Sequence, residues 1–216
     1  SDEREIARAK QLTISSLTAL SLIRDNETGL HLVRTAKYVE MIATAYNEYR
    51  GRTAISPHKI ELMVQCAPMH DIGKVAIPDE ILRKPGPLTP EEYTVMQKHP
   101  VYGRKTLEMG DTGIADQEFM DTALNMVYCH HEKWDGTGYP AGLMGEDIPI
   151  EARIMSIADA YDAITTDRVY KSARSHEEAI RTLRNDAGTH FDPELIEAFM
   201  RVETDIRKIS ELYRET

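Results

Sequence analysis

Side chains able to bind metal or move protons recur along this chain at spacings worth reading first. His70 and Asp71 are adjacent, so one imidazole and one carboxylate can serve two neighbouring cations, with the carboxylate bridging them. Glu27 and His31 stand four residues apart, which puts both on one face of a helix and within reach of a common centre. His99 precedes Pro100 near a helix join, and His130-His131 is a doublet whose two rings can diverge onto two metals. Asp159 lies in the apolar run IMSIADAYDAITT, where a buried carboxylate is costly unless it is paired or metal-bound. Each feature alone would also suit a hydrogen-bonded helix end or a solvated pair. A single metal cluster accounts for all of them together.

The elements that must bring these residues together read as helices. Helix formers dominate, β-branched runs are scarce and aromatics make up only 6% of the 216 residues, so an all-α bundle is expected. A first helical segment from about Glu3 to Arg24 carries Ile6, Ala9, Thr13, Ser16, Leu20 and Ile23 near a/d spacing. Residues 1–22 are read as a connecting helix from an upstream receiver or sensory domain, with an exposed seam that suggests a homodimer; residues 23–216 form the functional domain. A second helix is predicted over about 28–49, with Leu32, Val33, Ala36, Val39, Ile42 and Ala43 inward and Gly51 as its stop. The third starts at Ser56-Pro57 and delivers His70 and Asp71 at its end. IPDEILRKPGPL reads as irregular loop or short turns, after which Thr89-Pro90-Glu91-Glu92 opens a helix with a capping box. Another helix covers about 117–130. The glycine- and proline-rich stretch 131–149 follows, too long for a simple connection and therefore expected to be functional. The apolar helix EARIMSIADAYDAITT, a capping box at Ser175-His176-Glu177-Glu178 and a final amphipathic helix from Asp192-Pro193 complete the chain.

Composition narrows the function. Two cysteines, Cys66 and Cys129, without CxxC spacing argue against a disulfide framework or a thiolate zinc site and point to the cytoplasm. Cys129 is expected to be a small buried hydrophobe. No apolar run approaches the roughly 20 residues that span a bilayer. A formal charge of −10 disfavours a nucleic-acid polymer as partner, so an anionic ligand would need locally supplied positive charge. His58 and His176 read as surface residues, and His190 as a turn anchor.

In five ordered stretches the sequence resembles the HD-GYP family: RDNETGLH at 24–31, APMHDIGKVAIPDEILRKPGPLTPEE at 67–92, KHP at 98–100, HHEKWDGTGYPAGLMGEDIP at 130–149 and RIMSIADAYDAITTDRVYK at 153–171. The resemblance runs from Arg24 to about Asp192. It implies an all-helical HD-type bundle with a long GYP loop, and a phosphodiesterase that hydrolyses cyclic di-GMP to pGpG by attack of a metal-bound hydroxide, with slow continuation to GMP left open. It implies that His70, Asp71, His99, His130, His131 and Asp159 form a binuclear centre, with Glu27 and His31 as the further ligands of trinuclear members. Three ions are favoured over two, iron first and manganese second, from a donor set that also admits zinc and nickel. Lys74 would place an ammonium beside the phosphate. Arg168 and Lys171 would hold phosphate oxygens, and Asp25, Asp162 and Tyr139 would contact the bases, with Asp162 alternatively supporting a ligand from behind. The GYP loop could recognise substrate, dock a diguanylate cyclase, or both. The family pattern is departed from at Met69, Ala76 and Val169, and the last puts the loop leading to Lys171 in doubt. A receptor that binds cyclic di-GMP or a partner without turnover is the alternative from another class.

Overall fold

The computed structural model describes Thr18 and residues 29–110, 116–167 and 172–214. The expected connecting helix over residues 1–22 falls outside the described residues, apart from Thr18, and so does the start of the functional domain up to residue 28. Among the described residues the chain is helical and contains no β-strand. The α-helices are α1 (Gly29–Arg50), α2 (Pro57–Cys66), α3 (Asp79–Leu82), α4 (Pro90–Met96), α5 (His99–Gly110), α6 (Gln117–Cys129), α7 (Ile150–Thr165), α8 (His176–Asn185) and α9 (Pro193–Leu212). Short 3₁₀ turns at Ala67–Met69 and Ile72–Ala76 flank His70 and Asp71. No helix among the described residues is long and apolar enough to cross a membrane.

The helix starts are written locally. The Ser56 hydroxyl accepts from Lys59 N ahead of Pro57, and Asp192 accepts from Glu194 N ahead of Pro193. Thr89 with Glu92 and Ser175 with Glu178 form complete capping boxes. Such a cap stabilises its helix by about 1 kcal/mol by satisfying backbone N–H groups that the helix itself cannot. The stretch IPDEILRKPGPL is irregular apart from the single helical turn Asp79–Leu82, where Pro78 fixes the entry and its carbonyl accepts from both Ile81 and Leu82 amides.

The core forms where α1 packs against α2, α7 and α9. α7 is buried on most of its circumference, through Ala152, Ile154, Met155, Ile157, Ala158, Tyr161 and Ile164, as expected of a helix that is apolar all round. The buried face of α1 is His31, Arg34, Thr35, Tyr38, Val39, Ile42 and Ala43. The sequence expectation placed its first turns wrongly: Val33 is exposed, while Arg34 holds a core position. The reason is that Arg34 meets a buried carboxylate across the helix pair, which makes its burial cheaper than its type suggests. A second buried charge, Glu151, accepts from Lys59 Nζ at 3.0 Å and Asn125 Nδ2 at 2.9 Å and so joins α2, α6 and α7.

Two glycines set how closely the site's elements approach. A Cβ on Gly73 would lie 1.9 Å from His99 O and 2.4 Å from Gly103 N, and one on Gly103 would lie 2.5 Å from Val127 Cγ1. The 3₁₀ turn after Asp71 therefore rests directly on the backbone of α5, and α5 rests on α6.

Candidate metal centre

Four helix ends and one helix interior converge in space. Asp71, His99, His130 and His131 form one group of ligand atoms, and His31, His70 and Asp159 form another, each with its atoms within 4.8 Å of one another. Asp71 lies between them. Its Oδ1 is 3.2 Å from His99 Nε2 and 3.5 Å from His130 Nε2, while its Oδ2 is 3.3 Å from His70 Nε2. Asp159 Oδ1 faces His70 Nε2 at 3.9 Å and His31 Nε2 at 4.0 Å. Such separations suit donors that share a cation, because two atoms each about 2.0–2.2 Å from one ion can stand no more than about 4.4 Å apart.

The orientation of the rings makes the case for cations stronger than proximity does. His70 Nδ1 donates to Ala67 O at 2.9 Å, His99 Nδ1 to Met96 O at 2.8 Å, and His130 Nδ1 to Met126 O at 3.0 Å and Val127 O at 3.1 Å. A carbonyl oxygen can only accept, so each Nδ1 carries the proton and each Nε2 turns toward the cluster. In the neutral rings that leaves lone pairs facing one another and facing carboxylates. His99 Nε2 and His130 Nε2 are 3.4 Å apart, and His70 Nε2, wholly buried, makes no hydrogen bond. Such a set is repulsive until a proton or a cation enters it. Burial opposes protonation of His70, but the carboxylates of Asp71 and Asp159 outweigh it and lift its pKa to about 9. That pull is what a divalent ion would answer. His130 and His131 are pushed the other way, first by burial and then by neighbouring imidazoles, and so favour the neutral form that binds metal. Imidazole and carboxylate donors without thiolate suit divalent iron, manganese, zinc or nickel.

Around the cluster, Lys74 Nζ lies 2.8 Å from Asp71 Oδ2. Tyr139 stacks on His131 with ring centroids 4.9 Å apart at 22°. Of the expected site residues, His31, His70, Asp71, His99, His130, His131, Asp159, Lys74 and Tyr139 are thus brought together. Asp25, Glu27, Arg168 and Lys171 lie outside the described residues, as does Val169. Of the two roles expected for Asp162, base contact or support of a ligand from behind, the geometry fits the second and corrects the first. Asp162 is 1% exposed, its Oδ2 accepts from His31 Nδ1 at 2.8 Å and both its oxygens accept from Arg34, so it backs His31 and is closed to a ligand's base. His176 is also corrected: instead of lying at the surface, its ring links the Tyr161 hydroxyl at 2.8 Å to the Glu203 carboxylate. His58 is exposed, as expected.

Sequence reasoning missed Glu132, which is 2% exposed. Its carboxylate accepts from Ala141 N at 2.7 Å and Leu143 N at 3.0 Å and so cinches the glycine-rich loop shut behind His131. Gly138 is obligatory there, since a Cβ would lie 2.3 Å from Lys133 N and 2.6 Å from His131 O. The loop is further hung on the α8–α9 turn by Trp134 N donating to His190 O at 3.0 Å and Asp135 N to Thr189 O at 2.9 Å. The signal for Glu132 was weak: a charged residue beside a histidine doublet.

Residues 13–195 match the HD domain family. A cyclic di-GMP phosphodiesterase of Vibrio cholerae is 44% identical over 216 residues, covering 99% of this chain and 44% of that protein. A 3′3′-cGAMP-specific phosphodiesterase 2 of the same organism is 38% identical over 192 residues, covering 89% of this chain and 34% of that protein. Among solved structures, an HDG"Y"P protein from Bdellovibrio bacteriovorus superposes with a TM-score of 0.57 at 25% identity, over 81% of this chain and 51% of that one. The chain thus spans less than half the length of these two curated relatives.

Proposed function

Because the chain belongs to the HD domain family, in its HD-GYP branch, we propose that it is a divalent-metal-dependent phosphodiesterase that opens cyclic di-GMP to linear pGpG. The observation that carries this reading is the Asp71 carboxylate set between two groups of imidazole and carboxylate donors, with an ammonium beside it. HD domains bind divalent metals. In this proposal His70, Asp71, His99, His130, His131 and Asp159 hold two ions and His31, with Glu27, a third; iron comes first and manganese second. The bound ions supply Lewis acidity toward the phosphate and toward the attacking water.

The remaining roles belong to the protein. Lys74 Nζ, at the edge of the same carboxylate, takes a non-bridging phosphoryl oxygen and steadies the charge that grows on it. Arg168 and Lys171 add to the positive charge of Lys74 toward an anionic substrate in a chain of net charge −10, and Tyr139 with Asp25 meets a base. Water adds to phosphorus while the bond to the 3′ oxygen breaks, which leaves a 5′ phosphate and a free 3′ hydroxyl. A cytoplasmic setting goes with that substrate. Docking of a diguanylate cyclase on the GYP loop and a homodimer remain parts of the proposal on the strength of the loop's length and the first segment's apolar spacing.

The test is turnover by anaerobically purified protein of measured metal content, beside a His70→Ala, Asp71→Ala double variant. Product pGpG from the metal-loaded protein and none from the variant supports the reading. Binding without product in fully loaded protein would instead make it a receptor. Parallel assays with 3′3′-cGAMP read selectivity, since one of the relatives is named for that substrate.

A further inference from the structure

α1 and α7 face each other with matching spacing. His31 and Arg34 are three residues apart on α1, and Asp159 and Asp162 are three apart on α7. The first rung, His31 with Asp159, belongs to the metal cluster. The second rung is buried: Arg34 Nε donates to Asp162 Oδ1 at 2.6 Å and Arg34 Nη2 to Asp162 Oδ2 at 2.9 Å, a two-pronged grip that fixes the plane of the carboxylate. Asp162 Oδ2 in turn accepts from His31 Nδ1, which sets the tautomer and turns Nε2 toward Asp159. The guanidinium also reaches beyond this pair. Nη2 bonds to Thr166 Oγ1 at 3.3 Å, and Nη1 donates to the carbonyl of Tyr213, just past the end of α9, at 2.8 Å.

We propose that Arg34 is a positioning residue for the His31 metal position, itself held from the far side by the Tyr213 carbonyl past the end of α9. This rests on His31 being a metal ligand. A lysine cannot substitute, because a single ammonium cannot grip both carboxylate oxygens and the Tyr213 carbonyl in fixed directions. A purely structural arginine would affect melting but would leave metal affinity and ring tautomer where they were.

Two readouts on the full chain decide it. In anaerobic titrations with manganese alone, His31→Ala should lose one ion per chain, and Arg34→Lys should weaken the same ion by about 10–100-fold while the others stay bound. In metal-free protein, ¹⁵N spectra of the histidine rings should show a Nδ1-protonated ring that vanishes in His31→Ala and becomes a tautomer mixture in Arg34→Lys. Should Arg34→Lys fail to melt cooperatively, Asp162→Asn, which keeps the shape and drops the charge, carries the same two expectations. If His31→Ala loses the ion while the Arg34 and Asp162 variants keep wild-type affinity and tautomer, the positioning role is refuted and the metal reading stands. If His31→Ala keeps every ion, His31 is no ligand and both fall together.

Discussion

Gly73→Ala should empty part of the metal cluster without replacing a ligand. The added Cβ would stand 1.9 Å from His99 O, whereas carbon and oxygen in contact sit about 3.3 Å apart. The turn and α5 must then separate by roughly 1.4 Å to relieve the clash. Asp71 Oδ1 and His99 Nε2, now 3.2 Å apart, would move to about 4.6 Å if the shift lay along their line, yet two atoms on one ion at about 2.1 Å each can be no more than about 4.2 Å apart. Overpacking of this kind costs about 1–3 kcal/mol, which for a domain of this size lowers Tm by roughly 2–12 °C. The assay is metal per chain by plasma mass spectrometry together with a thermal melt. Gly110→Ala serves as control, because a Cβ there meets nothing within 4 Å; it should keep all metal and melt no lower than the parent. Wild-type metal content and Tm in Gly73→Ala would refute the argument that this glycine sets the Asp71–His99 distance.

Stripping the metal should lower Tm, since ions held at about 100 times their Kd stabilise by about 2.7 kcal/mol each, and restoring them should recover it in a differential scanning measurement. Glu132→Leu should leave the Ala141 and Leu143 amides without their acceptor at about 1–3 kcal/mol apiece, and limited proteolysis should then cut within residues 133–145. Arg153→Met removes the partner 2.6 Å from buried Asp192, so chemical denaturation should report a loss of about 3–5 kcal/mol with metal content unchanged.

The parts of this fold that were legible in the sequence are those fixed by near neighbours. Ser56, Thr89, Ser175 and Asp192 declare helix starts because their side chains bond amides two or three residues away. The candidate donors were legible by type too, and the structure brings together those that fall among the described residues. What stayed hidden depends on partners far along the chain. Arg34 drew no expectation because its carboxylate lies 128 positions away, although a basic residue in register with Tyr38 and Ile42, at i+4 and i+8, was the available hint. The choice between substrate contact and ligand support at Asp162 stayed open for the same reason. Gly73 and Gly103 are ordinary in sequence, and only the approach of two backbones gives them meaning.

The histidines that end or begin helices have a consequence for how the centre assembles. His70, His99 and His130 each bond a carbonyl three or four residues back, so their rings are aimed by contacts that close short loops at small entropic cost. Ring orientation can therefore be set on the fast timescale of local structure, before the distant segments meet. An ion reaching the assembled centre meets these three donors already turned toward it, each held by its own short-range bond.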